Sequence, residues 1–153
     1  MKKIILATVL IGLSFGAVAE QPVGDYKNWR LLSVSHRTDK HTLRAILGND
    51  TAIESARAGK FNAWAEGSIL AKVKWKESIH KNWAAAIVPD EFEAAEAMVK
   101  DSKKYATTGG WGFGKWQEGN LVMFDETKSK ECFACHTAAE QKNDYVFTHS
   151  ALQ

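Results

Sequence analysis

The stretch that most restricts what this chain can fold into is Glu131-Cys132-Phe133-Ala134-Cys135-His136. Two cysteines spaced by two residues, with histidine directly after the second, form the attachment signature of c-type haem. Each thiol can add to one vinyl group of the porphyrin, and the adjoining imidazole can reach the iron as proximal ligand. The fold must therefore bring a flat, largely apolar cofactor against this segment. Three other uses of such residues fit less well. A zinc site wants four ligands, and only two thiols and one histidine cluster here. A redox Cys-x-x-Cys belongs after an early strand of a βαβ unit, whereas this one lies near the C-terminus. A disulfide leaves His136 unexplained. Cys132 and Cys135 are the only cysteines, so none is left for another purpose.

Met1-Lys2-Lys3, the mostly apolar run Ile4–Val18 and Ala17-Val18-Ala19 read as a basic start, an apolar core and a small-x-small cleavage site. The expectation is a signal peptide over residues 1–19 and a single haem domain over 20–153, exported to the periplasm. The run is short for a membrane span. Removing Lys2 and Lys3 with the leader brings the 20 basic residues down to the number of acidic ones, 18. A balanced domain offers no basic face for nucleic acid or anionic lipid.

Within the domain, Ser68–Lys76 alternates, with Ala71, Val73 and Trp75 on one face and Leu70, Lys72, Lys74 and Lys76 on the other. That is the pattern of a half-buried antiparallel strand. Thr42–Leu47, Gly109–Trp116 and Asn120–Phe124 read as further strands. Asp25–Leu32 reads as a helical turn or entry segment, Ser33–Lys40 as a polar stretch, and Glu77–Pro89 as a connection. A short helix is expected with Thr51 and Glu54 as a capping box and Gly59 as its stop. Asp144–Thr148 is a candidate extended segment. Asp90–Ala106 is ambiguous: its composition favours helix, but Phe92, Ala94, Glu96 and Met98 make a period-two row. The fold class is mainly β to α+β, an antiparallel sheet with a few short helices.

The placing of the haem motif argues against an ordinary electron carrier. None of the residues after His136 is methionine, and Met123 sits in an apolar strand where packing suits it better. His36, His41, His80 and His149 lie in polar surroundings. With no sixth ligand placed, an open iron suited to small-molecule chemistry is expected.

The chain resembles the cytochrome P-460 family, with its related cytochromes c′-beta. The likeness runs from Tyr26 to Phe147. It rests on Tyr26 and Trp29, Arg44, Glu66-Gly67 leading to Lys72, Met98–Ala106, Gly110-Trp111-Gly112-Phe113, Glu131–His136 and Tyr145–Thr148. The resemblance implies a predominantly β homodimer with haem c against the sheet. It implies either oxidation of hydroxylamine or a related nitrogen oxide, with electrons passing to a periplasmic acceptor, or nitric oxide binding without catalysis. A simple electron carrier is the remaining alternative.

The resemblance also implies a lysine joined to the porphyrin edge, at Lys72 or, with a slip of two places, Lys74 on the same face. It implies a carboxylate that moves protons, at Glu96, and it favours the strand reading of Asp90–Ala106. On an apolar row a carboxylate needs a reason to be there, and burial would raise its pKa. Arg44, Trp111 and Phe113 are the further candidates for contact with the haem. A Gly-rich bend with two core aromatics explains Trp111 and Phe113 equally well.

Overall fold

The alternation around Lys72 is what builds this molecule. In the computed structural model, which describes residues 24–148, six strands pair in chain order into one antiparallel sheet. They are β1 (Arg30–Arg37), β2 (Thr42–Gly48), β3 (Ile69–Ile79), β4 (Ile87–Lys100), β5 (Trp111–Gln117) and β6 (Asn120–Met123). Two α-helices accompany them, α1 (Asp50–Arg57) and α2 (Glu126–His136). The expected class, mainly β to α+β, is the one observed. The segment expected to be a leader, residues 1–19, and His149 lie outside the described residues.

Each face of the sheet buries its own apolar set. Ala71, Val73 and Ala95 lie on one face under Tyr26, with Trp29, Trp75 and Trp116 packed around them. Leu70, Met98 and Phe113 lie on the other, packed with Leu32, Ile53, Trp64 and Trp111. This second core also takes in Cys132 and Phe133 of α2. Successive side chains of a strand point to opposite faces, so the second face also receives Lys72 and Glu96, which are register partners on β3 and β4. Two charged residues thus end up beside Leu70 and Met98, at the edge of the larger core.

Several local expectations are corrected. Ser33–Arg37 is strand, not a polar loop: it completes the β1–β2 ladder from Ser33↔Ile46 to Arg37↔Thr42. A register shift between Leu31 and Ser33 accompanies the complete burial of Leu32. The supposed connection Glu77–Pro89 belongs largely to a long β3–β4 hairpin, paired out to Ile79↔Ile87. Pro89 is tolerated there because β5 pairs with β4 only from Glu96 onward, leaving that side of β4 an edge. Asp90–Lys100 is strand, as the period-two row predicts, but residues 102–105 turn and Ala106 opens a short 3-10 segment. A second register shift, between Lys74 and Trp75, sets Phe92 opposite Trp75. Phe92 therefore leaves the row of Glu96 and lies 53% exposed.

The capping box is also corrected. Asn49, not Thr51, caps α1: its Oδ1 accepts from Ala52 N at 3.0 Å and from Ile69 N at 2.9 Å. Its Nδ2 donates to the Gly67 carbonyl at 2.9 Å. One side chain thereby ties α1 to the start of β3. Asn49→Ala is expected to lower stability by about 2 kcal/mol, the loss of a cap plus stranded partners. Chemical denaturation checks this, and a loss below about 0.5 kcal/mol would contradict the tie.

Candidate haem site

The haem motif lies in the last turns of α2, whose N-cap Asp125 accepts from Lys128 N at 2.8 Å. Residues three and four apart share a helix face, so Cys132, Cys135 and His136 project together. All three line a cleft of about 770 Å³ between this helix and the sheet. Cofactor pockets span roughly 300–1,000 Å³. Both thiols are free, Cys132 half-buried and Cys135 exposed, and burial pushes the Cys132 thiol up.

His136 is held from three sides. Its ring lies 5.2 Å from Phe113 and 5.3 Å from Phe147, centroid to centroid. Its Nδ1 is 2.9 Å from the carbonyl of Tyr145. A carbonyl only accepts, so Nδ1 carries the proton and donates, and Nε2 keeps a free lone pair. Burial lowers the His136 pKa, which favours the neutral, ligating imidazole. A proximal ligand needs this tautomer.

The sheet supplies the opposite wall. Lys72, Glu96, Arg44 and Phe113 all line the cleft. Lys72 Nζ lies 2.5 Å from Glu96 Oε2, and Lys74 Nζ lies 3.4 Å from Glu96 Oε1. Of the two lysines only Lys72 lines the cleft, because Lys74 sits two pairs farther along β3, opposite Ala94. Partial burial raises the Glu96 carboxyl, but the hydrogen bond and charge of Lys72, with Lys74, outweigh it, and the net pKa lies below the ordinary carboxylate value. The expected raised pKa is thus reversed, because burial came with two ammonium partners. Arg44 Nε is buried with no hydrogen-bond partner. Desolvation, followed by the charge of Arg37, lowers the Arg44 pKa.

Trp111 does not belong to this wall. It is fully buried, and its Nε1 donates to the Asp144 carbonyl at 2.8 Å. Its neighbour Gly112 is the residue that permits close packing, since a Cβ there would meet the Tyr105 ring at 2.3 Å. Among the other histidines, His36 and His41 both pair with Glu77, and neither they nor His80 lines the cleft. Among the described residues no group of three or more His, Cys, Asp or Glu side chains could hold a metal ion.

Sequence reasoning missed the structure behind His136. Asp144–Thr148 does not begin extended. Asp144 and Tyr145 both have positive φ, 49° and 59°, which for the tyrosine costs of order 1–3 kcal/mol. Asp144 and Lys100 form a buried pair at 2.7 Å, with side chains 10% and 8% exposed. The signal for Lys100 was present: Glu96, Met98 and Lys100 share one row, so alternation carries a lysine onto the core face. Nothing in the order Gln141-Lys142-Asn143-Asp144 pointed to its partner.

A cleft walled by an antiparallel sheet and a Cys-x-x-Cys-His helix defines a β-sheet haem protein, not a helical cytochrome. The cytochrome P460 family model matches residues 23–148, and the chain belongs to that family. It is accordingly a haem protein of cytochrome type. No curated protein matches the chain. The residues present fit the group. The cleft suits its bulk, His136 offers a free nitrogen, and the unpartnered Arg44 Nε provides a buried donor for a propionate.

Proposed function

We propose that this chain is a periplasmic c-type haem protein that oxidises hydroxylamine or a related nitrogen oxide. The observation that carries the reading is the Lys72–Glu96 pair inside the cleft that His136 also lines. When bound, haem c would supply a redox-active iron able to take up a small nitrogenous ligand. Cys132 and Cys135 would hold it covalently, and His136 Nε2 would ligate it. Arg44 and Phe113 would bind it from the sheet.

Glu96 is ionised in this setting, so it can accept a proton from a substrate N–H or O–H. Lys72 and Lys74 stabilise that carboxylate and would orient it. Lys72 is also the residue proposed to carry a bond to the porphyrin edge. Replacing a porphyrin C–H by a C–N bond to the Lys72 amine would release two protons and two electrons. The electrons would go to an added two-electron oxidant such as a peroxide, and Glu96 Oε2, 2.5 Å from Nζ, would take a proton. Oxidation sends electrons to a periplasmic acceptor. The protein is proposed to work as a homodimer, without nucleic acid. Its β1 edge exposes Leu31 and Val34, 49% and 63% accessible.

A second reading has one observation in its favour. As a tight ion pair, Lys72 is a cation and is satisfied without any bond to haem. In that form the protein would bind nitric oxide and turn nothing over. Comparison of the purified protein with its Lys72→Ala variant decides between the two. We expect the wild type to show a broad, strongly red-shifted ferrous Soret band and hydroxylamine turnover, both lost in Lys72→Ala. An ordinary high-spin haem c spectrum unchanged by the substitution would overturn the enzyme reading and favour the gas-binding one.

A further inference from the structure

We infer that Asp144, clamped by Lys100, is a positioning residue for the proximal histidine, acting through the carbonyl of Tyr145. The inference rests on the haem c reading, through His136. Asp144 is satisfied on every side by buried groups. Its Oδ1 takes the Lys100 ammonium at 2.7 Å, its Oδ2 accepts from Trp64 N at 3.0 Å, and its own carbonyl accepts from Trp111 Nε1 at 2.8 Å. Lys100 is fixed in turn, with Nζ 5.0 Å from the Trp111 ring centroid. Three separate parts of the chain, the loop before β3, the end of β4 and the start of β5, therefore converge on one carboxylate.

The next residue is the one that matters to the site. Tyr145 has φ 59°, a conformation a tyrosine does not hold unless its surroundings impose it. Its ring is wedged against Phe133 at 4.9 Å and over Gly109, where a Cβ would meet it at 2.5 Å. With Asp144 locked on one side and the ring on the other, the Tyr145 carbonyl has one direction left, and it meets His136 Nδ1 at 2.9 Å. The partner of a ligating imidazole's second nitrogen fixes ring orientation and raises its basicity. The buried pair thus bears on the electron donation of His136 while touching neither the haem cleft nor the imidazole.

The test uses the haem-loaded protein, with Asp144→Asn and the double variant Lys100→Met/Asp144→Asn. The first keeps the shape but strands a buried ammonium. The second removes both charges, a change that is often tolerated in stability. Readouts are the ferrous iron–histidine stretching band by resonance Raman, the reduction potential and thermal stability. We expect both variants to lower the stretching frequency and to shift reduction toward the ferrous form roughly tenfold, about 59 mV for one electron. We also expect the double variant to recover stability relative to Asp144→Asn without recovering the band. A fall in stability with band and potential unchanged, read on the double variant if the single one does not fold, would show a structural pair only and overturn the inference. Wild-type protein lacking haem c would overturn the underlying reading as well, and that result is separate from the first.

Discussion

Replacing Cys132 and Cys135 together by serine, in a Lys72→Ala background that removes the proposed third link, is expected to give a polypeptide that carries no covalent haem. Its denatured mass should equal that of the bare chain, and its colour should be lost on acid–acetone extraction. The reasoning is geometric. Positions 132, 135 and 136 share a face of α2, so the helix presents both thiols and the imidazole to the same cleft. No other cysteine exists to substitute. Because Cys132 is half-buried against the core while Cys135 is exposed, each single variant should keep one thioether and remain coloured. Full retention of bound haem in the combined variant would contradict covalent attachment here.

The second large effect concerns Glu96. Glu96→Gln preserves size and can still contact Lys72, but it cannot accept a proton. Loss of a positioned general base costs roughly 10²–10⁴-fold. The proposed hydroxylamine oxidation should fall by that factor in steady-state assays, while nitric oxide binding changes little. The pH dependence has a defined sign. Lys72 and Lys74 hold the carboxyl below its ordinary value of 4.5, so the base stays ionised at neutral pH and is lost only as pH falls below that value. The same shift acts on stability. The folded protein binds this proton less readily than the unfolded chain, so the stabilisation is complete above about 4.5 and disappears on acidification. A Glu96→Gln enzyme with unchanged turnover would remove the carboxylate from the chemistry.

Much of the fold could be read from residues 68–76, because period-two alternation in a half-buried strand leaves only one arrangement of faces. The sheet class, the strand at Thr42 and the glycine–aromatic strand at Trp111 all followed from that kind of pattern. Failures came where side-chain pattern is a poor guide to backbone pairing. The Ser33–Arg37 edge is held by its ladder to β2, with little burial of its own, and the register shift near Phe92 cannot be seen in composition. Asp90–Lys100 shows the opposite case, in which burial on a pleated surface overrode a strong local preference for helix.

The site divides in the same way. The haem motif is local chemistry and was legible. Lys72, Glu96 and Arg44 were reached through family likeness, and the fold brings all three to the cleft wall. Trp111 was drawn toward the cofactor by its neighbourhood, yet the fold uses it to bind Asp144. The protonation of Glu96 was misjudged because burial was counted without its ammonium partners. Tyr145 could not be recognised as the acceptor for His136, since a backbone carbonyl has no sequence signature.

The most direct test of the account is peptide mapping of the purified protein. The haem-bearing fragments from proteolysis would be isolated by their absorbance and sequenced by mass spectrometry. One haem should be found linked to the fragment containing Cys132, Cys135 and His136 and also to a fragment containing Lys72. Recovery of both cysteines as unmodified thiols, with haem extractable from the chain, would contradict it.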